Sequence, residues 1–347
     1  MADQQDIYVL TSCYDLHSSR PIENIALEQW NNNGSVRVYY SKNNELSLLS
    51  IRQRIRESSA DIVYINGLYS LPFVIYPLIT ARFFYKKAKV VVAPRGMLQS
   101  GALKIRARKK KFFLALFKML NLHKGITWHA TDEQEREDIA LAFGDNAKVI
   151  IAPNIPKKPI DDLKLLSKVE NELRLIYLSL ITEKKNLHLA LSVLADMTEH
   201  IVFDIYGPVK DKDYWKDCES IIKKLPSNIV VAYKGDVKPD KVQDTFKMYH
   251  ALFLPTKGEN FGHAIYECLS VGRPVIISNA TPWRDLKTKH AGYDCDLNEV
   301  TQFGNAIREL YKMDGLQYNE MCKGAYSVAK EYWFKDDYVE SYAKLFN

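Results

Sequence analysis

Glu259 and Glu267 stand in PTKGENFGHAIYECLSVGRPVI (Pro255–Ile276), one on each side of Gly262, with seven residues between them. A glycine at the mouth of a helix lets a ligand approach the amides that open it, and those amides with the helix dipole suit phosphate or sugar oxygens. Glu267, one turn in, repels a phosphate lying close by, and so suits a diol such as the paired hydroxyls of a ribose. Glu259, in the loop, can accept from the hydroxyls of a second ring. The alternative is a solvent-exposed capping carboxylate and a second one on a helix face, and spacing alone leaves both readings open. His263 can donate to an anion, or simply cap or pack. Lys184 and Lys185, in LSLITEKKNLHLAL, can neutralise a diphosphate at the end of a strand or form an ordinary charged turn.

Three loops of the first half carry similar chemistry. LHSSRP (Leu16–Pro21) offers Ser19 and Arg20, NGLYS (Asn66–Ser70) follows the third strand candidate, and PRGMLQSGAL brings Arg95, Gly96 and the Ser100–Gly101 pair. Each is equally an ordinary turn or cap. No G-x-G-x-x-G follows the first strand, and there is no G-x-x-x-x-G-K-[ST], G-x-S-x-G or H-E-x-x-H. The eight histidines do not cluster with carboxylates at ligand spacing, so no protein-held metal is expected.

The elements that must hold these residues follow from periodicity. AIYECLSV places Ala264, Ile265, Cys268, Leu269 and Val271 on one helix face, flanked by strands at Ala251–Pro255 and Pro274–Ser278. Earlier strand candidates are Asp6–Cys13, Val36–Tyr40, Asp61–Asn66, Ala88–Ala93, Ile126–Ala130 and Ala147–Ala152, alternating with helices predicted over Pro21–Trp30, Leu48–Ser58 and Asp132–Phe143. PNIPKKPIDD (Pro153–Asp162) reads as a linker. Strands then resume at Leu173–Leu180, Ile201–Gly207 and Asn228–Tyr233, with helices over Leu187–Met197, Tyr214–Leu225 and Lys241–Met248 and a helical, aromatic tail. This rhythm predicts two doubly wound α/β domains, with a ligand cleft at the carboxyl ends of their strands.

A chain of 347 residues suits two domains. Five scattered cysteines with no C-x-x-C pair point to a reducing compartment. The opening MADQQDIYVLTSC does not read as a signal peptide, and no run of eighteen apolar residues predicts a membrane span. The net charge of +6 is concentrated in KIRARKKK (Lys104–Lys111), which runs into FFLALFKML. That segment is either a solvated basic turn feeding a buried helix or a contact with an anionic bilayer. A nucleic-acid groove has no supporting motif, and no nucleic-acid partner is expected.

Together these features resemble the retaining, nucleotide-sugar glycosyltransferases of family four, whose hallmark E-x-F-G-x-x-x-x-E stands here as Glu259-Asn260-Phe261-Gly262 and then Glu267, followed by Gly272-Arg273-Pro274-Val275-Ile276. The resemblance implies the GT-B fold, two Rossmann-like doubly wound domains facing across a cleft: 1–160 on the acceptor side, 161–330 for the nucleotide sugar, and 331–347 as a helix returning to the first domain. It also implies that Glu259 and the amides around Phe261 and Gly262 meet the transferred sugar, with Asn260 and His263 beside them, and that Glu267 holds the ribose. In the family's R-x-x-x-x-K diphosphate grip the lysine is Lys185, whereas Leu180 occupies the arginine position, with Lys184 or Arg95 as compensating charge. APRGML resembles a segment whose histidine lies near the donor sugar, with Arg95 in its place. Ser19 stands where a glycine pair is usual. The catalytic set is then Glu259, Lys185 and Arg95, with no metal and no cofactor beyond the donor substrate. The implied activity is retaining transfer from a nucleoside diphosphate sugar to a glycolipid or oligosaccharide acceptor in surface polysaccharide synthesis, in the cytoplasm or at the inner face of its membrane. The alternatives are a non-catalytic sugar-nucleotide-binding scaffold and a nucleotide-sugar epimerase of the same fold.

Overall fold

The computed structural model describes residues 5–14, 21–99, 103, 107–335 and 338–347. Two compact units emerge, Met1–Asn154 with Asp337–Asn347, and Ile155–Asp336.

In the first unit the elements run β1 (Ile7–Ser12), β2 (Trp30–Asn33), β3 (Val36–Ser41), α1 (Leu48–Glu57), β4 (Ile62–Asn66), α2 (Tyr76–Ile79), β5 (Lys89–Ala93), α3 (Ala107–Met119), β6 (Thr127–Ala130), α4 (Glu133–Phe143) and β7 (Val149–Ile151). Strands β4, β5, β6 and β7 pair in that order, all parallel. The unbroken apolar run Val90–Ala93 is buried throughout, as expected of a parallel strand covered on both faces. Trp128 of β6 stacks on Phe143 of α4 at 4.4 Å in the core beneath.

The expected single sheet is in fact two. Strands β1 and β3 pair in parallel, and β2 pairs antiparallel to β3, in a separate three-stranded sheet. The helix predicted over Pro21–Trp30 is absent: the segment is turns that end in β2. Asn24 and Glu28 adopt left-handed backbone, which an α-helix does not admit. The Glu28 carboxylate instead accepts from Lys42 N (2.5 Å), Ser41 Oγ (3.1 Å) and Tyr39 OH (3.3 Å), and Trp30 packs edge-on between Tyr8 and Tyr39. Tertiary partners therefore override a local helical spacing.

The second unit continues with β8 (Leu173–Leu178), α5 (Leu187–Ala195), β9 (Ile201–Tyr206), α6 (Lys212–Ile222), β10 (Ile229–Gly235), α7 (Val242–Phe246), β11 (Ala251–Leu254), α8 (His263–Ser270), β12 (Val275–Ser278), β13 (Gly292–Cys295), α9 (Thr301–Lys312) and α10 (Gly315–Lys335). Its six strands are all parallel in the order β10-β9-β8-β11-β12-β13. The winding reverses between β8 and β11, and ligands of open α/β sheets bind outside the carboxyl ends of the strands at such a switch point. Strand β13 was not anticipated from the sequence because it opens on a glycine. Gly292 has φ +136°, and a Cβ there would lie 2.0 Å from the Val275 carbonyl oxygen, so only glycine lets this strand close on β12.

The chain ends in α11 (Tyr338–Phe346), which returns to the first unit. Leu345 is buried with Val91 and Ala152, Tyr342 and Phe346 pack beside it, and Lys89 Nζ donates to the Leu345 carbonyl. All five cysteines are buried and unpaired. No helix among the described residues is long and apolar enough to cross a membrane.

Candidate active site

The two loops that leave β8 and β11 at the switch point carry most of the predicted residues, and they are bonded to each other. After β8, Glu183–Lys185 form one 3-10 turn, and Asn186 then takes a left-handed conformation (φ +60°) that launches α5. The Asn186 side chain donates to the Pro255 carbonyl at 3.0 Å. Lys257 N donates to the Lys184 carbonyl at 2.8 Å, and Lys257 Nζ reaches Glu183 Oε1 at 2.9 Å. At the centre Lys185 Nζ donates to Glu259 Oε1 at 2.5 Å, in a pair whose side chains are 18% and 9% exposed. This pairing of two predicted site residues was not foreseen. Lys184 lies beside it: desolvation lowers its ammonium below the ordinary value, Lys185 acts in the same direction, and Glu259 opposes both.

The loop from Gly258 to Gly262 is held from below. Glu259 N donates to the Ala280 carbonyl, and Trp283 Nε1 to the Phe261 carbonyl at 2.5 Å. The buried Phe261 ring faces inward, against His263, Tyr266, Trp283 and Tyr332. Its contribution at the surface is therefore through the backbone. Gly262 takes φ +81° as the N-cap of α8, and no side chain caps the first turn. A helix start of this kind, with a glycine as N-cap, suits an anion or a hydroxyl-bearing ligand. Asn260 and His263 sit at this same mouth.

Glu267 lies one turn deeper, half-buried. Desolvation raises its carboxyl above the ordinary value, and Lys157 only partly offsets that. None of the described residues donates a hydrogen bond to its side chain, whereas Glu259 is ion-paired. The two glutamates of the motif therefore differ in state: one is engaged by a cation, the other is a desolvated acceptor waiting for donors. Leu180, at the position of the family arginine, is 38% exposed and brings no charge. A cavity of about 480 Å³ beside the Glu183 turn is lined by Glu183, Asp211, Asp213 and Asp217 together with Asn186, His188, Tyr214 and Lys257.

In the first unit Arg95 follows β5 in left-handed backbone (φ +54°). Its Nε donates to Asn66 Oδ1 (3.0 Å), Nη1 to Asn154 Oδ1 (3.0 Å) and Nη2 to Tyr64 OH (2.8 Å). Tyr64 OH meets His129 Nδ1 at 2.7 Å, and His129 Nε2 meets the Ala152 carbonyl at 2.7 Å. A carbonyl only accepts, so His129 carries its proton on Nε2, Nδ1 accepts from Tyr64, and the phenol oxygen accepts from Arg95. Burial lowers the His129 pKa and raises that of Tyr64 to about 12, which keeps both neutral. Buried Glu135 accepts from Gly96 N at 2.6 Å and from Thr131 N and Oγ1, and so fixes the turn that carries Arg95. Tyr64, His129 and Glu135 were not singled out as site residues, and only the Asn66 loop hinted at them. Ser19 and Arg20 lie outside the described residues, as do Ser100, Gly101 and the first three residues of KIRARKKK. Among the described residues no group of three His, Cys, Asp or Glu side chains forms a candidate metal site.

Residues 161–328, covering almost all of the second unit, match the family of glycosyl transferases group 1. The second unit is a glycosyltransferase domain of this family. Solved structures show the same GT-B architecture. The likeness extends to Anabaena HepE in complex with UDP-glucose, at TM-score 0.68 and 15% identity over 88% of this chain and 84% of that one. Sucrose-phosphate synthase from Thermosynechococcus elongatus aligns at TM-score 0.73 and 11% identity, over 98% and 88% of the two chains. A mutant of S. aureus TarM in complex with Fondaparinux, alpha-GlcNAc-glycerol and UDP aligns at TM-score 0.66 and 18% identity, over 88% of this glycosyltransferase but 59% of that chain. No curated protein sequence matches it. At these identities the solved structures speak for the fold alone. The activity on a nucleotide-sugar donor follows from the family.

Proposed function

We propose that this glycosyltransferase moves a glycosyl group, with retention at the anomeric carbon, from a nucleoside diphosphate sugar to a hydroxyl of a glycolipid or oligosaccharide acceptor in surface polysaccharide synthesis. The observation that carries the reading is Glu267. A half-buried carboxylate that accepts no hydrogen bond from the described residues, one turn inside a glycine-capped helix at the switch point, is arranged to receive the two hydroxyls of a ribose. The diphosphate then lies over the amides that follow Gly262, where the helix dipole and Lys185 offset its charge.

In the reaction the bond from the anomeric carbon to the diphosphate oxygen breaks, and the nucleoside diphosphate leaves with the electron pair. The acceptor oxygen forms the new bond and loses its proton. The barrier lies in the charge that develops on the leaving group, and preorganised donors lower it most. Lys185 is the main cation for that purpose. In the free protein it is held by Glu259, which keeps the ammonium aimed at the loop and becomes available to sugar hydroxyls once the diphosphate attracts Lys185. Lys184 adds charge, and Asn260 and His263 border the sugar. Five unpaired cysteines fit a reducing compartment such as the cytoplasm.

A donor screen tests the proposal. UDP-glucose comes first, because HepE was solved with it, followed by other bases and sugars, each scored for nucleotide release and transfer to a crude glycolipid fraction. Release that depends on acceptor supports the reading. Binding without turnover across all donors replaces it with a scaffold, the reading that uncharged Leu180 would then favour. Epimerised donor accumulating without acceptor replaces it with an epimerase.

A further inference from the structure

Helix α3 is amphipathic in two directions. Phe113 and Phe117 face the core, with Phe113 edge-on to Tyr69 at 5.2 Å and Phe117 buried. Beside that face a second apolar stripe turns outward: Phe112 is 73% exposed, Leu116 38%, Met119 71% and Leu120 51%. Leu120 N still donates to the Leu116 carbonyl, so all four belong to one helical ridge at spacings of four, seven and eight residues. Arg108 and Lys109 precede Phe112 by four and three residues and therefore lie on the same face, while Lys111 and Lys118, seven apart, are exposed together on one flank. From Ala107 to Lys124 the chain has six lysines and arginines and no aspartate or glutamate.

We infer that this ridge is a docking surface for an anionic lipid bilayer, with Phe112, Leu116, Met119 and Leu120 entering the interface and the basic residues meeting lipid phosphates. Exposed aromatic and aliphatic side chains beside lysine and arginine on one helix match the chemistry of a headgroup boundary. Protein partners fit less well, since lysine is depleted from protein interface cores. A second copy fits worst, because pairing two such ridges would set basic helices against each other with no acidic residue on either to offset them. The sequence drew attention to KIRARKKK, whereas the structure moves the centre of the contact to the apolar ridge that follows it. The inference deepens the proposed function, in that a glycolipid acceptor is found at such a surface.

The test is flotation of the full chain with vesicles of phosphatidylcholine alone or mixed with phosphatidylglycerol, at low and raised salt, without donor or acceptor. The protein is expected to float with the anionic vesicles, to lose part of that binding in salt, and to bind neutral vesicles weakly. The F112S/L116S variant is expected to bind anionic vesicles about tenfold less, with unchanged melting temperature and unchanged nucleotide release from soluble donor. Wild type that stays at the bottom of the gradient with anionic vesicles overturns the inference. So does a folded variant that floats as wild type does. A wild-type dimer in sedimentation, dissolved by F112S/L116S and failing to float, assigns the ridge to a second copy instead. Lipid binding is measured without turnover, so its absence leaves the transferase reading standing, and a failed donor screen leaves the flotation result standing.

Discussion

Replacing Glu267 with alanine isolates the claim on which the donor site depends. The carboxylate is half-buried, its pKa is raised by desolvation, and none of the described residues donates to it. Much of the cost of removing it from water is therefore already present in the free protein, and ribose hydroxyls displace little further solvent. Hydrogen bonds to a charged acceptor contribute about 1.5–3 kcal/mol net, less when two share one group, so the pair is worth about 2–3 kcal/mol, or roughly 30- to 150-fold in Kd. The same absence of partners, with the desolvation that raises its pKa, predicts that E267A folds at least as stably as wild type at neutral pH. Calorimetric titration of E267A with the nucleoside diphosphate of the active donor measures the first, and urea unfolding the second. A 2′-deoxy nucleotide sharpens the test: it should bind wild type about tenfold less tightly than the ribonucleotide, and E267A with no such penalty. Binding to wild type should also weaken on acidification from above the ordinary carboxyl value of 4.5, because the raised pKa brings protonation earlier. A folded E267A with affinity within about twofold of wild type, or an equal 2′-deoxy penalty in both proteins, refutes the assignment.

Other perturbations read the rest of the site. K185A should lower the single-turnover rate by about 100-fold or more and lower the melting temperature, since it leaves the 9%-exposed Glu259 side chain unpaired; a rate within about threefold of wild type moves the diphosphate grip elsewhere. In G262A a side chain meets left-handed backbone at φ +81° and places its Cβ 2.8 Å from Ile265 Cδ1. Unfolding should cost about 1–2 kcal/mol less, with weaker nucleotide binding, and an affinity equal to wild type would remove the helix mouth from the site. Burial depresses the His250 pKa to about 3. Its contribution to stability is therefore complete above the unfolded value of 6.5 and is lost as pH falls from there towards 3, which gives about 2 kcal/mol between pH 7 and 5. His129 acts in the same direction. Urea midpoints that coincide at the two pH values contradict both assignments.

Much of the second unit was legible because its strands are short apolar runs between helices of clear period. Expected strands such as Ile201–Gly207 and Ala251–Pro255 fall within a residue of β9 and β11. The Glu259-to-Glu267 motif was legible for another reason: residues eight apart in one loop-and-helix unit are placed by local geometry alone. The helix expected over Asp132–Phe143 is likewise α4, one residue shorter because Asp132 caps it. The first unit resisted where partners come from far away in sequence. Glu28 is satisfied by Tyr39, Ser41 and Lys42, which no local pattern of Pro21–Trp30 announces.

By itself the amino-acid order determined the α/β class, the two-part organisation and the glycine-marked helix mouth, since each depends on hydrophobic period and turn chemistry within a few residues. Only the tertiary structure decided that Lys185 grips Glu259 across 74 positions of chain, that Tyr64 and His129 hold Arg95, and that the ridge beginning at Phe112 faces outward. Those facts depend on which loops the strand order brings side by side and on which helix face the core leaves uncovered, and neither is encoded in any single segment.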